Sequence, residues 1–365
     1  MKQRKIIYPT NVHWEWMQRP QHLLSVFADL GFECIFGDFT ESDKVVKHNL
    51  IRDKQWVKHV DNNSVIFNNN PGHKIVFDEG TRAEWVKDAV LWFDYIDDVS
   101  VFEDSSGKDL KQAQENYIRY ADIVTTSAKT LYNEIRDKRP DAILVPNAVD
   151  LDFFSTPPRE VYDYSQHGKF DGVVGYYGAI AFWLNYELMK FMCEKHPEFL
   201  FVMIGGDYKP NENVIKQLGK YPNFLRIKRQ PYENLPYYLY GFDVAIIPFL
   251  ENEISEDTSP LKVYEYLAAG RPVVCSDMPE VKELFPVKTV NVSKDGMSAF
   301  ARAVEKEFLR DCREMRSIRK ECVKEETWKK RVFDILYNYQ EKFYYDAGSV
   351  TVVPTQKRGM RWNQS

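Results

Sequence analysis

The stretch DTSPLKVYEYLAAGRPVVCSD, residues 257–277, carries the strongest local signal in the chain. Ser259 is a helix N-cap residue type, and Pro260 suits a first helical position. Gly270 suits a helix stop, with Pro272 just beyond it. The stretch therefore predicts a short helix between two apolar runs, VAIIPF (244–249) and PVVCS (272–276). Such a helix presents unpaired backbone N–H groups and the positive end of its dipole, a ready seat for a phosphate or diphosphate. Lys262 falls in the first turn, where a cation is unfavourable unless an anion is bound. Glu265, three residues on, shares its face. A cation near phosphate and a carboxylate near a ribose diol together read a nucleotide. Taken alone, the same residues also describe an ordinary capped helix with a surface Lys–Glu pair.

Working outward, short apolar runs alternate with amphipathic stretches. On the N-terminal side the predicted strands are 6–9, 33–38, 64–68, 89–93, 122–127 and 142–146, with helices over 18–30, 108–119 and 128–137. Residues 151–170, with two prolines and scattered polar residues, break the rhythm and read as a linker. The rhythm then restarts, with strands at 173–177, 199–205, 224–228, 244–249 and 272–276. Helices fit 185–195, 212–220, 233–240, 260–269 and 295–308, and one long charged helix is expected from Arg313 to Tyr344. This βαβα order predicts an α/β protein of two Rossmann-like, doubly wound parallel-sheet domains facing a cleft. The divisions are 1–150 (acceptor side), 151–170 (linker), 171–325 (nucleotide side), 326–345 (a helix packing back on the first domain) and 346–365 (a loosely ordered tail).

Composition narrows the function. The 365 residues hold 49 Lys and Arg against 54 Asp and Glu, a net charge of -5. A general nucleic-acid binder needs a basic excess, so that class is disfavoured. The five cysteines form no C-x-x-C pair, which argues against a disulfide framework or cysteine zinc site and for a reducing compartment. The apolar run after MKQRK is too short for a signal peptide, and no stretch approaches the ~20 apolar residues that span a bilayer. A cytoplasmic protein is expected, with Lys2, Arg4 and Lys5 available for peripheral contact with anionic lipid at the inner membrane face.

Two segments of the first domain are acceptor-site candidates. The strand ending AVLWF leads into Asp94, Asp97 and Asp98, three acids at the mouth of a doubly wound sheet; one of them, Asp97 by preference, would act as a base on, or orient, an acceptor hydroxyl. The loop NVHWEWMQRPQH (11–22) has no G-x-G-x-x-G but offers His13, Trp14, Trp16 and Arg19: Trp faces suit sugar rings, and Arg suits a phosphate. His22 reads as a packing residue. Asp150-Leu-Asp152 spells D-x-D but sits after VPNAV, in the wrong place for a metal. The seven histidines show no ligand spacing, so no metal is expected.

As a whole the chain resembles family 4 glycosyltransferases of GT-B fold. Asp257, seven residues, Glu265 and then AAGRPVV follow that family's acid-x7-Glu signature, with Asp in place of the first Glu. The segments 172–189, 222–249, 121–131 and 145–154 resemble further family segments in the right order, and the WEWMQRPQHLL start resembles a bacterial surface-polysaccharide branch of the teichuronic-acid type. The resemblance implies that Glu265 binds the ribose hydroxyls, that Lys262 and the backbone of 259–262 (Ser259, Leu261) bind the donor diphosphate, and that Gly178 lets backbone approach the phosphates. It also implies Tyr232 beside the base and Asp257 facing the donor sugar. The family's basic pair after Gly178 is missing from AIAFWLN, which leaves more to Lys262 and the helix dipole, with help from Arg229. The implied reaction is metal-independent hexosyl transfer with retention, from a UDP-linked donor and without a cofactor, to a glycan or lipid-linked acceptor; a carboxylate base at the acceptor would instead suit inversion. A sugar-nucleotide epimerase of the same architecture, and a non-catalytic glycan-binding relative, are the alternatives.

Overall fold

The computed structural model describes residues 1–10, 12–38, 44–72, 77–78, 81–83, 86–97, 99, 107–251, 258–294 and 296–345. Asp98, Asp257 and the tail 346–365 lie outside the described residues.

The first domain runs β1 (Lys5–Pro9), α1 (Arg19–Asp29), β2 (Cys34–Gly37), β3 (Lys44–Lys47), β4 (Leu50–Arg52), β5 (Ser64–Asn68), β6 (Val90–Tyr95), α2 (Gly107–Tyr120), β7 (Ile123–Thr126), α3 (Lys129–Ile135) and β8 (Ile143–Leu144). These strands form one sheet in the order β8-β7-β6-β5-β1-β2-β4-β3. All neighbours are parallel except β3 and β4, which pair antiparallel at the edge. Strand order reverses between β1 and β5, so the loops after those two strands open a crevice, and the Trp14–Trp16 loop lies at it. The buried face is aromatic: Phe67 stacks on Trp92 with ring centroids 4.0 Å apart.

The second domain adds α4 (Leu151–Ser155), β9 (Gly172–Tyr177), α5 (Tyr186–Lys195), β10 (Phe199–Gly205), α6 (Glu212–Leu218), β11 (Phe224–Lys228), α7 (Leu235–Leu239), β12 (Val244–Ile247), α8 (Leu261–Ala268), β13 (Val273–Ser276), α9 (Pro279–Leu284), β14 (Val290–Ser293), α10 (Gly296–Arg310), α11 (Arg313–Cys322) and α12 (Trp328–Phe343). Its six strands are all parallel, in the order β11-β10-β9-β12-β13-β14. The reversal falls between β9 and β12. Gly178, just after β9, and α8, which follows β12, are therefore brought to one point although 80-odd positions separate them in sequence.

Three expectations change. Residues 151–170 hold α4 and a 3-10 turn at Tyr164–His167, and Phe154 and Tyr164 are buried in the second domain's core. Asp150 starts α4 by accepting from the Phe153 N–H at 3.2 Å, which gives that acid a capping role. The long C-terminal helix is two helices. Arg319 of α11 is fully buried and pairs with Glu307 and Asp311, fixing α11 to the second domain. Thr327 then caps α12, whose Trp328, Val332, Ile335, Tyr339 and Phe343 enter the first domain's core. The break is where the chain crosses between domains. Finally, β3, β4, β14 and α9 were not anticipated, being short and weakly patterned.

His22 is buried at the junction of both domains, stacked on Trp328 at 4.9 Å and edge-on to Tyr232 at 5.4 Å. Burial pushes its imidazole down to about 3. The unfolded chain, titrating near ~6.5, therefore takes up a proton that the folded chain refuses, and stability falls as pH drops below that value. Wild type is expected to lose about 1.5 kcal/mol of stability relative to His22→Phe between pH 6.5 and 5. Urea titrations of both at the two pH values check this; an unchanged difference would mean that the ring is protonated in the fold.

Candidate functional site

The site forms where β9 and β12 diverge. Gly178 has φ +144, and a Cβ there would lie 2.2 Å from the Lys262 Cε and 2.8 Å from the Tyr176 hydroxyl. Gly205 (φ +157) backs onto it: a Cβ would lie 1.7 Å from the Gly178 carbonyl oxygen. Only glycine fits either position, and together they make a floor of bare backbone. The Lys262 ammonium stands beside this floor, 5.6 Å from the Tyr176 ring centroid and 5.9 Å from that of Phe249. Among the described residues no carboxylate comes within 4.0 Å of it. Burial lowers its affinity for the proton, and the Glu265 charge works the other way.

Helix α8 starts one residue later than the sequence suggested. Pro260 is the N-cap, with extended backbone (φ -74, ψ 121) and no side-chain cap. With Pro260 at the N-cap, Ser259 lies one position outside the helix and its side chain makes no cap bond. Its Oγ is buried beside the Tyr264 hydroxyl, and its carbonyl accepts from the Asn147 Nδ2 at 2.5 Å. Leu261 packs against the first domain's core. The first turn of α8 thus faces the cleft with the Leu261 and Lys262 amides preceding the first helical bond, Val263 N–H to the Pro260 carbonyl.

One turn on, Glu265 is 5% exposed, and the Tyr177 hydroxyl donates to its Oε2 at 2.7 Å. Burial raises its carboxyl to about 7, while that hydrogen bond and the Lys262 charge pull it down. Tyr232 stacks on Phe153 (5.2 Å) and keeps a buried hydroxyl without a partner. Glu265 and Asp150 lie close enough that their charges, after burial, raise the Tyr232 phenol well above its ordinary range. A carboxylate and an orphan hydroxyl side by side suit a vicinal diol.

Across the cleft, the Arg229 guanidinium sits 4.0 Å from the centroid of the Trp16 ring, so a nucleotide-side cation meets the acceptor-side loop. Arg229 also borders the glycine floor, 3.6 Å from a Cβ built on Gly206. Trp16 is 39% exposed and carries the His13 ring at 5.3 Å. Trp14 is placed differently: it packs edge-on against Phe36 at 5.1 Å as part of the first domain's core rim.

Arg19 is corrected from ligand-binding to structural use. It is 3% exposed, and its Nε and Nη2 grip the fully buried Asp94 at 2.7 and 3.0 Å. Thr125 donates to the same carboxylate at 2.6 Å. A guanidinium so enclosed has no donor facing the cleft, and Asp94 is equally engaged. Asp97 is half-buried, and its backbone carbonyl accepts from Gln114. Arg4 and Lys5 are also engaged, with Asn62 and Asp61, leaving Lys2 exposed. Gln21, Tyr177 and Asn147 were missed. Gln21 clasps the carbonyls of His13, Trp14 and Trp16, and its polar side chain in a buried helix turn was the signal available.

No group of three or more metal-ligand side chains gathers among the described residues, and none of their helices is long and apolar enough to cross a membrane.

Two parallel, doubly wound sheets facing each other across such a cleft define the GT-B class of fold. Sequence-dissimilar solved structures share it along their whole length. HepE of Anabaena, solved in complex with UDP and glucose, superposes with a TM-score of 0.72 at 14% identity, over 93% of this chain and 98% of its own. Sucrose-phosphate synthase of Thermosynechococcus elongatus gives 0.70 at 13% identity, over 93% and 99%. Residues 173–308, within the second domain, match the family Glycosyl transferases group 1. A Bacillus subtilis (strain 168) protein named as the teichuronic acid biosynthesis glycosyltransferase TuaH is 27% identical over 185 residues. That match covers 48% of this chain and 46% of TuaH, so the chain spans about half the length of this relative.

Proposed function

We propose that the protein is a glycosyltransferase that moves a hexose-type sugar from a UDP-linked donor to a glycan or lipid-linked acceptor in cell-surface polysaccharide synthesis. The observation that carries this is the convergence at the β9/β12 reversal. A bare glycine floor, an ammonium with no carboxylate within 4.0 Å among the described residues and the first-turn amides of α8 lie one helical turn from Glu265 and the Tyr232 hydroxyl. That is a diphosphate seat next to a diol seat. HepE's complex with UDP and glucose and the naming of TuaH support the donor class and the pathway.

In this reading catalysis rests on positioning and on charge. Lys262 and the α8 amides stabilise the negative charge that develops on the leaving diphosphate, without a metal ion. Glu265 accepts from the ribose hydroxyls. The acceptor approaches over Trp16 and His13, with Asp97 at the mouth of β6. Anomeric retention and work at the inner membrane face complete the proposal.

A thermal-shift screen with UDP, GDP, dTDP and CMP in EDTA-containing buffer tests it. UDP at 100 times its dissociation constant is expected to add about 2.7 kcal/mol to stability. Silence with every nucleotide and with UDP-sugars would overturn the donor site.

A further inference from the structure

The hinge between the domains, Pro146-Asn147-Ala148, is held from two sides. Arg19 of α1 donates through Nη1 to the Pro146 carbonyl (3.2 Å) and to the Asn147 Oδ1 (3.3 Å). Arg331 of α12 donates through Nε to the Pro146 carbonyl (3.0 Å) and through Nη2 to the Asn147 carbonyl (3.0 Å). Both guanidiniums are buried, and each has its own carboxylate, Asp94 for Arg19 and Glu326 for Arg331. The Asn147 amide is thereby oriented: its oxygen faces Arg19 and its nitrogen faces the second domain. There Nδ2 donates to the Ser259 carbonyl, at 2.5 Å.

That carbonyl belongs to the peptide entering Pro260, the N-cap of α8. Pinning it sets the plane from which the helix departs, and so the aim of the Leu261 and Lys262 amides. The side chain that would ordinarily set a helix start does not cap this one, since Ser259 Oγ is turned to the Tyr264 hydroxyl and Pro260 makes no cap bond. We infer that Asn147 is a positioning residue. It completes a relay, Asp94–Arg19–Asn147–Ser259, through which the first domain and hinge hold the anion-binding end of α8 in place. The inference rests on the donor-site reading above. The relay makes that site depend on the relative placement of the two domains, because the contact closes only while hinge and α8 are together.

Asn147→Asp separates this role from simple structural support. It keeps an oxygen for Arg19, and improves that contact with a charge, but turns an oxygen on the Ser259 carbonyl. Asn147→Ala removes both contacts without adding charge and serves if the Asp variant folds poorly. Titration calorimetry with UDP and amide exchange across 261–265 are the two readouts. Asn147→Asp is expected to bind UDP at least tenfold more weakly than wild type and to exchange faster across 261–265, while its ligand-free melting temperature stays close to that of wild type. UDP affinity within twofold of wild type, with unaltered exchange, overturns the relay. Failure of wild type to bind UDP overturns the donor-site reading instead; the relay then stands or falls on the exchange measurement alone.

Discussion

Glu265→Gln is expected to make the protein more stable at pH 8 while weakening its response to UDP. The wild-type carboxyl is buried and raised to about 7, against an ordinary value of 4.5. Between those values the folded state holds a proton that the unfolded state has released, so stability declines as pH rises through this window and is lowest above it. Gln keeps the shape and can still accept from the Tyr177 hydroxyl, but carries no charge to desolvate. The gain is on the order of 1–3 kcal/mol at pH 8 and close to zero at pH 4. The lost charge weakens the hold on two ribose hydroxyls, for which an ionised carboxylate is the stronger acceptor. A more stable protein with a weaker ligand is the mark of a functional residue, since active sites retain such costs for their chemistry. Thermal melts at both pH values, with and without UDP, read both effects. A variant destabilised at pH 8, or one still stabilised by UDP as wild type is, would place Glu265 in packing rather than recognition. The opposing slopes of His22 and Glu265 also predict a flat wild-type profile between about pH 4.5 and 6.5, which each single variant tilts its own way.

Asp94→Ala is the second large effect. It leaves the Arg19 guanidinium, 3% exposed, without its carboxylate and the Thr125 hydroxyl without its acceptor. Removing one partner of a buried ion pair costs about 3–5 kcal/mol. The double variant Arg19→Met/Asp94→Leu is expected to recover most of that, because well-packed apolar residues replace a buried pair at little net cost. Recovery of stability without recovery of UDP affinity would separate folding from the hinge relay. A single-variant loss below about 1 kcal/mol, the range of an exposed pair, would show that Arg19 finds water and that the pair is not a structural anchor.

The helix expected over 260–269 was readable because its stop signals, Gly270 and Pro272, act locally, and because strands on both sides carry β-branched runs. The two-sheet architecture was readable for the same reason: burial on both faces of a parallel strand leaves a short continuous apolar run, as in FLFVMIG at 199–205. Local signals also misled. Ser259 looked like the cap, yet the helix starts one residue later, with Pro260 at the N-cap. Arg313 to Tyr344 looked like one helix because both pieces are amphipathic; only Arg319's buried acid pairs and Thr327's cap show where the chain changes domain.

The site divides along the same line. By itself the sequence determined the fold class and the pair Lys262 and Glu265, since three-residue spacing on a helix fixes a shared face whatever surrounds it. The tertiary structure alone decided what that face meets. Tyr177, Gly205 and Tyr232 come from three other elements, and Arg19 and Asp94, 75 positions apart, close on each other rather than on a ligand. Asn147's reach to Ser259 spans 112 positions. Such partners are set by which strands neighbour one another and where their order reverses. That is a property of the packed sheet, and no local pattern in the chain encodes it.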